Sequence, residues 1–356
     1  MEEASFPDFI IKIRRDNIPL RAQIALTYRC NLDCMHCFES KETQDELTFF
    51  EIKDILPQLK DLGCISLIFT GGELFLRRDI LDIFEFSRRL GFGIDILTNG
   101  TLLTRDLVKQ IKKINPQCTQ VSLYGATKKV HESITRVKDT YQKTLEAIRL
   151  LKSSNLKFRI ATIIMQQNFS ELKTLREMAR REKWNLKVDY CISPRYDGSG
   201  SPLICRITAE QLKQVAPELK SQRESYHKII TSRASQYPYL FLLGSHSFYI
   251  SAQGEVFLSC TSRIKIGSLR QDSFKDIWMH SAQIKNIRRL KLNDFQCSGC
   301  KHLLYCCWDP GLAWLEHGDF TASPREMCRF TEIALRKKKY FRQEDIFNQE
   351  EKDEKS

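Results

Sequence analysis

Six short apolar runs, each followed by an amphipathic or polar stretch, constrain the fold of this chain more than any other feature. The runs are AQIALTY (22–28), ISLIFT (65–70), GIDILT (93–98), QVSLYG (120–125), KFRIATIIM (157–165) and LKVDYC (186–191). Their content of Ile, Val, Leu and Phe suits strands covered on both faces. Helical patterns lie between them near 48–61, 79–90, 104–114, 140–153 and 169–183. Asp79, Thr104 and Ser170 fall where N-caps or first-turn residues are expected. Pro57 lies inside the first pattern and is expected to kink that helix or restart it. Strand–helix alternation implies right-handed βαβ units and a parallel sheet. Six units are too few for the usual closed eight-stranded barrel. The expected class is therefore α/β, as an open partial (β/α)6 barrel or a doubly wound sheet. Either form binds ligands at the C-terminal ends of its strands.

The pattern changes after the sixth run. SPRYDGSGSP (193–202) reads as a loop, and 206–239 as a helical bridge. SFYISAQGEVFLSC reads as a hairpin turning at Gln253-Gly254, and it opens a small cysteine-rich domain. The division expected is an N-terminal extension (1–20), the α/β unit (21–205), the bridge (206–239), the cysteine-rich domain (240–335) and a charged tail (336–356).

The 13 cysteines are clustered. No apolar run approaches the roughly 20 residues that span a bilayer, and the acidic start MEEASFPDF lacks the form of a signal peptide. A cytoplasmic location without membrane contact is expected. In a reducing compartment, grouped cysteines point to metal or redox chemistry rather than to disulfides. Cys30, Cys34 and Cys37 form a C-x3-C-x2-C motif directly after the first strand. Cys297, Cys300 and Cys306, with distant Cys328, form a second group. Three thiolates leave one iron of a cubane open, whereas four saturate it. Zinc completed by His36 or a distant residue, and a structural zinc ribbon in the second group, are the alternatives on spacing alone. The net charge of +12 comes without a dense basic stripe interleaved with aromatics, so nucleic acid is not the expected partner.

Three further segments sit at strand ends: Thr70-Gly71-Gly72-Glu73, Thr98-Asn99-Gly100 and Val121-Ser122-Leu123-Tyr124-Gly125. Each alone is a common turn or strand feature. In this order behind C-x3-C-x2-C, over residues 20–195, the chain resembles the radical S-adenosylmethionine (SAM) superfamily. The resemblance implies a 4Fe–4S cluster on Cys30, Cys34 and Cys37. It further implies that SAM chelates the fourth iron and that reductive cleavage yields a 5′-deoxyadenosyl radical. By position, Gly71, Gly72 and Glu73 would receive the methionine ammonium, and Ser122 and Arg136 would lie near its carboxylate. His36 would pack near the adenine, and Thr98 and Asn99 would contact the ribose or the substrate.

Residues 240–330 resemble the SPASM domain appended to many radical enzymes that modify peptides. Cys297, Cys300, Cys306 and Cys328 match the set closing its outer auxiliary 4Fe–4S cluster. Cysteines expected for the inner cluster are missing before the hairpin and at Pro310, so one auxiliary cluster is expected, with Cys260 and Cys307 left over. The implied activity is hydrogen abstraction from a ribosomally made peptide, ending in a cross-link, epimerisation or oxidation. A reducing flavoprotein or ferredoxin would donate electrons. A small molecule such as a tetrapyrrole is the alternative substrate, and a non-catalytic zinc- or nucleic-acid-binding protein a more distant one. Tyr28, Tyr124, Asp189 and Arg195 lie near strand ends, but the sequence does not choose a general base among them.

Overall fold

The computed structural model describes residues 12–13, 15–39, 45–216, 246–261, 264–302, 306 and 309–335. Six parallel strands run in sequence order: β1 (Arg21–Thr27), β2 (Ser66–Gly71), β3 (Gly93–Thr98), β4 (Cys118–Ser122), β5 (Phe158–Ile163) and β6 (Leu186–Asp189). Each pairs with the next in parallel. This is the partial (β/α)6 barrel. Helices α1 (Phe49–Asp61), α2 (Ile80–Arg89), α3 (Arg105–Ile114), α4 (Lys128–Thr135), α5 (Thr140–Ser153) and α6 (Leu172–Glu182) return the chain between strands.

Alternation sorts each strand's side chains between two faces. Ile24, Leu26, Leu67, Phe69, Ile94, Ile96, Val121 and Ile160 pack with the helices in one continuous core. Each such buried side chain contributes about 1.5–3 kcal/mol. Because all six strands are parallel, they end on one rim, where folds of this type carry their active sites.

The helix starts follow local chemistry. Thr48 and Glu51 form a reciprocal capping box on α1, and Thr104 Oγ1 accepts from Leu107 N at 3.2 Å. Pro57 does not restart α1, which runs as one helix from Phe49 to Asp61 with the proline inside it. Asp79 occupies the N-cap position of α2 without capping it. Its carboxylate is taken instead by Arg77, at 2.9 and 2.6 Å. Ser170 falls in a 3-10 turn, Phe169–Glu171, ahead of α6. Helix α4, which the sequence pattern did not mark, is capped by Thr127.

The C-terminal part joins the same sheet. Strand β7 (Ser247–Ile250) pairs in parallel with β1, and β8 (Glu255–Phe257) and β9 (Lys265–Ser268) follow antiparallel. The hairpin turns at Gly254, whose φ of 86° suits glycine. Helices α7 (Phe274–His280), α8 (Ala282–Arg289), α9 (Pro310–His317) and α10 (Arg325–Leu335) complete this region. Most of the expected bridge, the tail after 335 and Cys307 lie outside the described residues. Among the described residues no helix is long and apolar enough to cross a membrane.

Candidate active site and auxiliary cluster pocket

The first cysteine motif lies on the loop leaving β1, and its backbone is pinned from three sides. Tyr28 N and Thr27 Oγ1 donate to Glu46 Oε1 at 2.9 and 2.7 Å. Gly72 N donates to Thr27 O at 2.7 Å and Glu73 N to Arg29 O at 2.8 Å. Asp33 N and Met35 N donate to the carbonyls of Thr135 and Ile134 at the end of α4, at 3.1 and 3.0 Å. The second pin explains the glycine pair. A Cβ on Gly71 would stand 2.1 Å from Thr27 O, and one on Gly72 2.2 Å from Arg29 O, so no larger residue lets the two strand ends meet.

Asn31, inside the motif, ties the loop to the end of β3. Asn99 Nδ2 donates to Asn31 Oδ1 at 2.9 Å, and Asn31 Nδ2 to Thr101 Oγ1 at 2.8 Å. Glu73 is fully buried and bridges β2 to β3. It accepts from Thr98 Oγ1 at 2.7 Å, Asn99 N at 2.8 Å and Phe75 N at 3.3 Å. Burial pushes its carboxyl upward, and these donors pull it back. Glu73 thereby fixes the Thr98–Asn99 rim.

The opposite wall is aromatic. Tyr124, directly beyond β4, stands edge-on to His36 with ring centroids 4.5 Å apart and shares a hydrogen bond with Ser122. Its backbone N donates to His131 Nδ1 at 3.2 Å. Burial lowers both His36 and His131 to about 4, so both imidazoles are neutral. His36 Nδ1 has no hydrogen-bond partner among the described residues. Arg136, in the left-handed region at the end of α4, reaches back to Asp33 of the loop at 3.7 Å, both side chains half exposed.

The donor set suits an iron–sulfur cluster. The thiols of Cys30, Cys34 and Cys37 lie close enough to raise one another: burial, then each other's charge, moves Cys34 strongly upward, and burial moves Cys37 to about 11. Such thiols lose their protons only when a cation offsets the charge, as on metal binding. Among the described residues no three His, Cys, Asp or Glu side chains close on a point for a single metal ion. A cubane asks for wider separation, one thiolate per iron.

The second group converges as well. Cys297, Cys300, Cys306 and Cys328 line one pocket with His302, Pro324, Thr331 and Glu332. Cys328 comes from α10, and the charges of Cys297 and Cys300 help raise it, after burial. Four thiols match a closed, four-thiolate cluster.

Two family models match the chain. Residues 24–179 match the radical SAM superfamily, and residues 242–301 match the SPASM iron–sulfur cluster-binding domain. The chain is a radical SAM enzyme with a C-terminal SPASM domain. It is similar to the AdoMet-dependent heme synthase of Methanosarcina barkeri, 24% identical over 86% of this chain and 96% of that protein. It is also similar to the mycofactocin maturase MftC of Mycolicibacterium smegmatis, 24% identical over 79% and 75% of the two chains. The crystal structure of Streptococcus suis SuiB bound to its precursor peptide SuiA shares the fold. Its TM-score is 0.67 at 17% identity, covering 89% of this chain and 78% of that one.

The enzyme binds SAM and iron–sulfur clusters, and its sequence-marked residues gather around the first motif. Gly71, Gly72, Glu73, Asn99, Ser122, His36 and Arg136 all stand on the rim or on the cluster loop. Arg195 and Tyr196 do not hang free in a linker. Tyr196 N donates to Phe38 O at 2.9 Å, and Arg195 reaches Glu39 O at 3.4 Å. Sequence reasoning missed Asn31 and Thr101, whose roles follow from Asn99, and the wall toward the SPASM region. There Tyr28 and Tyr249 bring their hydroxyls within 3.3 Å, beside Phe257 and Cys260. Buried Glu39 and Asp309 of α9's N-cap both lie near enough to help raise the Cys260 thiol to about 12, after burial. Only the three-dimensional closure of β7 on β1 brings these residues together.

Proposed function

We propose that this radical SAM enzyme abstracts hydrogen from a peptide that enters the barrel mouth in extended form. The observation that carries this reading is the wall facing the SPASM region. Its buried polar groups are Glu39, Tyr28 and Tyr249, with partly buried Asp309 beside them; the cations nearest are Arg195, on the Glu39 carbonyl, and Lys187. Such a wall suits amide N–H groups and cationic side chains. It disfavours a macrocycle edged with carboxylates. The sheet also ends at β6, leaving one side of the barrel open among the described strands.

When bound, the three-thiolate cluster and SAM together supply the hydrogen-abstracting chemistry. The chain's own residues do the rest. Cys30, Cys34 and Cys37 would hold the cluster, and Cys297, Cys300, Cys306 and Cys328 the auxiliary one. The Gly71–Gly72 backbone and Glu73 define the seat of the methionine ammonium, with Glu73 acting through the rim it fixes. Ser122 and Arg136 would hold the methionine carboxylate. Neutral His36 would pack against the adenine, and Asn99 would orient the ribose side. A basic protein surface would draw an acidic leader peptide, an effect that salt weakens over about 8 Å.

A second reading, a tetrapyrrole substrate, is supported by the likeness to the heme synthase of M. barkeri, which spans 96% of that protein, and to further heme and Fe-coproporphyrin III synthases. One experiment separates the two. The reconstituted enzyme is incubated with SAM, reductant and either short peptides encoded beside its gene or iron-coproporphyrin, and 5′-deoxyadenosine and substrate mass are followed. A peptide losing about two hydrogens, or one unchanged in mass in H2O but about 1 Da heavier in D2O, supports the proposal. Turnover stimulated by the porphyrin and by no peptide overturns it.

A further inference from the structure

We propose that Arg206 is a positioning residue that fixes the auxiliary cluster site against the barrel mouth, acting through a strap formed by residues 192–207. The inference is independent of the substrate class. The strap leaves β6 and first lies on the cluster loop. Tyr196 N donates to Phe38 O, its ring packs edge-on to Phe38 with centroids 5.3 Å apart, and Arg195 reaches the Glu39 carbonyl. Farther on, Gln166 on the barrel holds the strap. Its backbone N donates to Cys205 O at 3.0 Å, and its amide to the carbonyls of Ile204 and Arg206 at 3.2 and 2.8 Å.

The strap ends in an ion-pair network against the SPASM helices. Arg206 Nε donates to Ile192 O at 2.9 Å, closing the strap on its own start. Its two terminal nitrogens reach Glu316 on α9 at 3.4 Å and Glu326 on α10 at 3.5 Å. Arg329 completes the set, pairing with Glu326 at 2.7 Å and donating to Ile207 O at 3.1 Å. Glu316 also accepts from Arg325 N at 2.6 Å, joining the two helices. Glu316 and Glu326 are 9% and 4% exposed and Arg206 18%, so these are interior charges. Helix α10 carries Cys328, which lines the four-cysteine pocket.

One strap thus touches the loop of the first cluster at one end and a ligand helix of the second at the other. A buried ion pair stabilises little compared with an apolar packing of equal volume, but it is directional. A planar guanidinium spanning two carboxylates and a carbonyl allows one arrangement of three segments. A lysine, a single point charge, cannot reproduce that.

The test is Arg206→Gln in the full-length protein, reconstituted to about eight irons per chain. The expected result is unchanged iron content, a shifted or broadened distance between the two reduced clusters by pulsed dipolar EPR, and hydrogen exchange at least about tenfold faster over 310–335 but unchanged over 49–182. Arg206→Lys should recover only part of the exchange protection. Exchange on the cluster-free protein should show the same contrast, since the network contains no metal ligand. If Arg206→Gln does not retain the auxiliary cluster, Glu316→Gln, which leaves Glu326 paired with Arg329, takes its place in the distance measurement. An unchanged distance and exchange pattern overturns the proposal. So does exchange that rises equally over 49–182, since that marks a general role in stability.

Discussion

The first cysteine site draws its three thiols from one loop, Cys30 to Cys37, whereas the auxiliary pocket draws four from a stretch running from Cys297 to Cys328. The first loop is held by bonds that involve no sulfur: Gly72 and Glu73 to β1, Asn31 to Asn99 and Thr101, Asp33 and Met35 to α4. The second site brings together a turn segment and α10, with Ser323 against the Cys297 thiol at 3.4 Å and the Arg206 network behind. A site built on one braced loop is preorganised before metal arrives. A site assembled from distant segments gains much of its order from the metal, so binding there is also folding.

The largest effect expected is on the braced loop. Replacing Cys30, Cys34 and Cys37 by Ala should abolish 5′-deoxyadenosine formation and leave about half of roughly eight irons. Urea unfolding of the cluster-free variant should match that of the cluster-free parent within about 1 kcal/mol. A larger loss would show that the thiols themselves brace the loop.

Cys300→Ala probes the other side. Exchange protection over the turn segment 297–302 should collapse, while that over 21–189 holds and that over 310–335, held by the Arg206 network, falls less; SAM cleavage should persist as product formation falls. A well-folded variant that turns over normally without the auxiliary cluster would make that cluster dispensable and remove the contrast.

Glu73→Ala should destabilise the protein by about 2–4 kcal/mol, because it strands the buried donors of Thr98, Asn99 and Phe75. It should weaken SAM binding with cluster content intact, and Glu73→Gln should lose less of both. Equal stability of all three proteins would refute the bridging role.

A pH series sharpens the picture of the aromatic wall. Burial depresses the folded pKa of His131 to about 4, below the ordinary imidazole value of 6.5. Its contribution is therefore present above pH 6.5 and lost as pH falls through 4, amounting to about 2 kcal/mol by pH 5. His36 is depressed in the same way, so urea melts of cluster-free protein from pH 7 to 4.5 should show a slope from both imidazoles, and His131→Gln should remove about half of it.

The smallest stability effect belongs to Arg136→Ala. Its half-exposed pair with Asp33 at 3.7 Å should be worth less than about 1 kcal/mol. The same change should cost SAM more than about tenfold in affinity, as a lost charge-assisted contact. Titration calorimetry that finds wild-type affinity would remove Arg136 from the methionine subsite.

The barrel was legible because its signals are local. Gly93–Thr98 coincides with the apolar run GIDILT, and Thr104 caps where a cap was due. Run ends were less legible where a side chain stops the ladder. KFRIATIIM ends as a strand at Ile163 because Asn168 donates to Ile163 O and accepts from Met165 N. Asp189 Oδ1 similarly takes the N–H groups of Tyr190 and Cys191, ending β6. In the site, spacing revealed the cysteines and the rim motifs. The acidic wall and the Arg206 network were not visible, because Glu39, Tyr249 and Asp309, or Arg206 and Glu326, lie far apart in the chain and carry no local pattern.

The parallel pairing of β7 with β1 sets an order of events during synthesis. Arg21 finds its partner Ser247 only after more than 200 further residues have been made. Until then one edge of the first strand presents unpaired backbone N–H and C=O groups, an open template for pairing with another chain. Such a distant contact forms slowly. The nascent barrel therefore passes through an aggregation-exposed stage, and seating the hairpin ends it. The first strand of the SPASM region thus covers a barrel edge that synthesis leaves open until late.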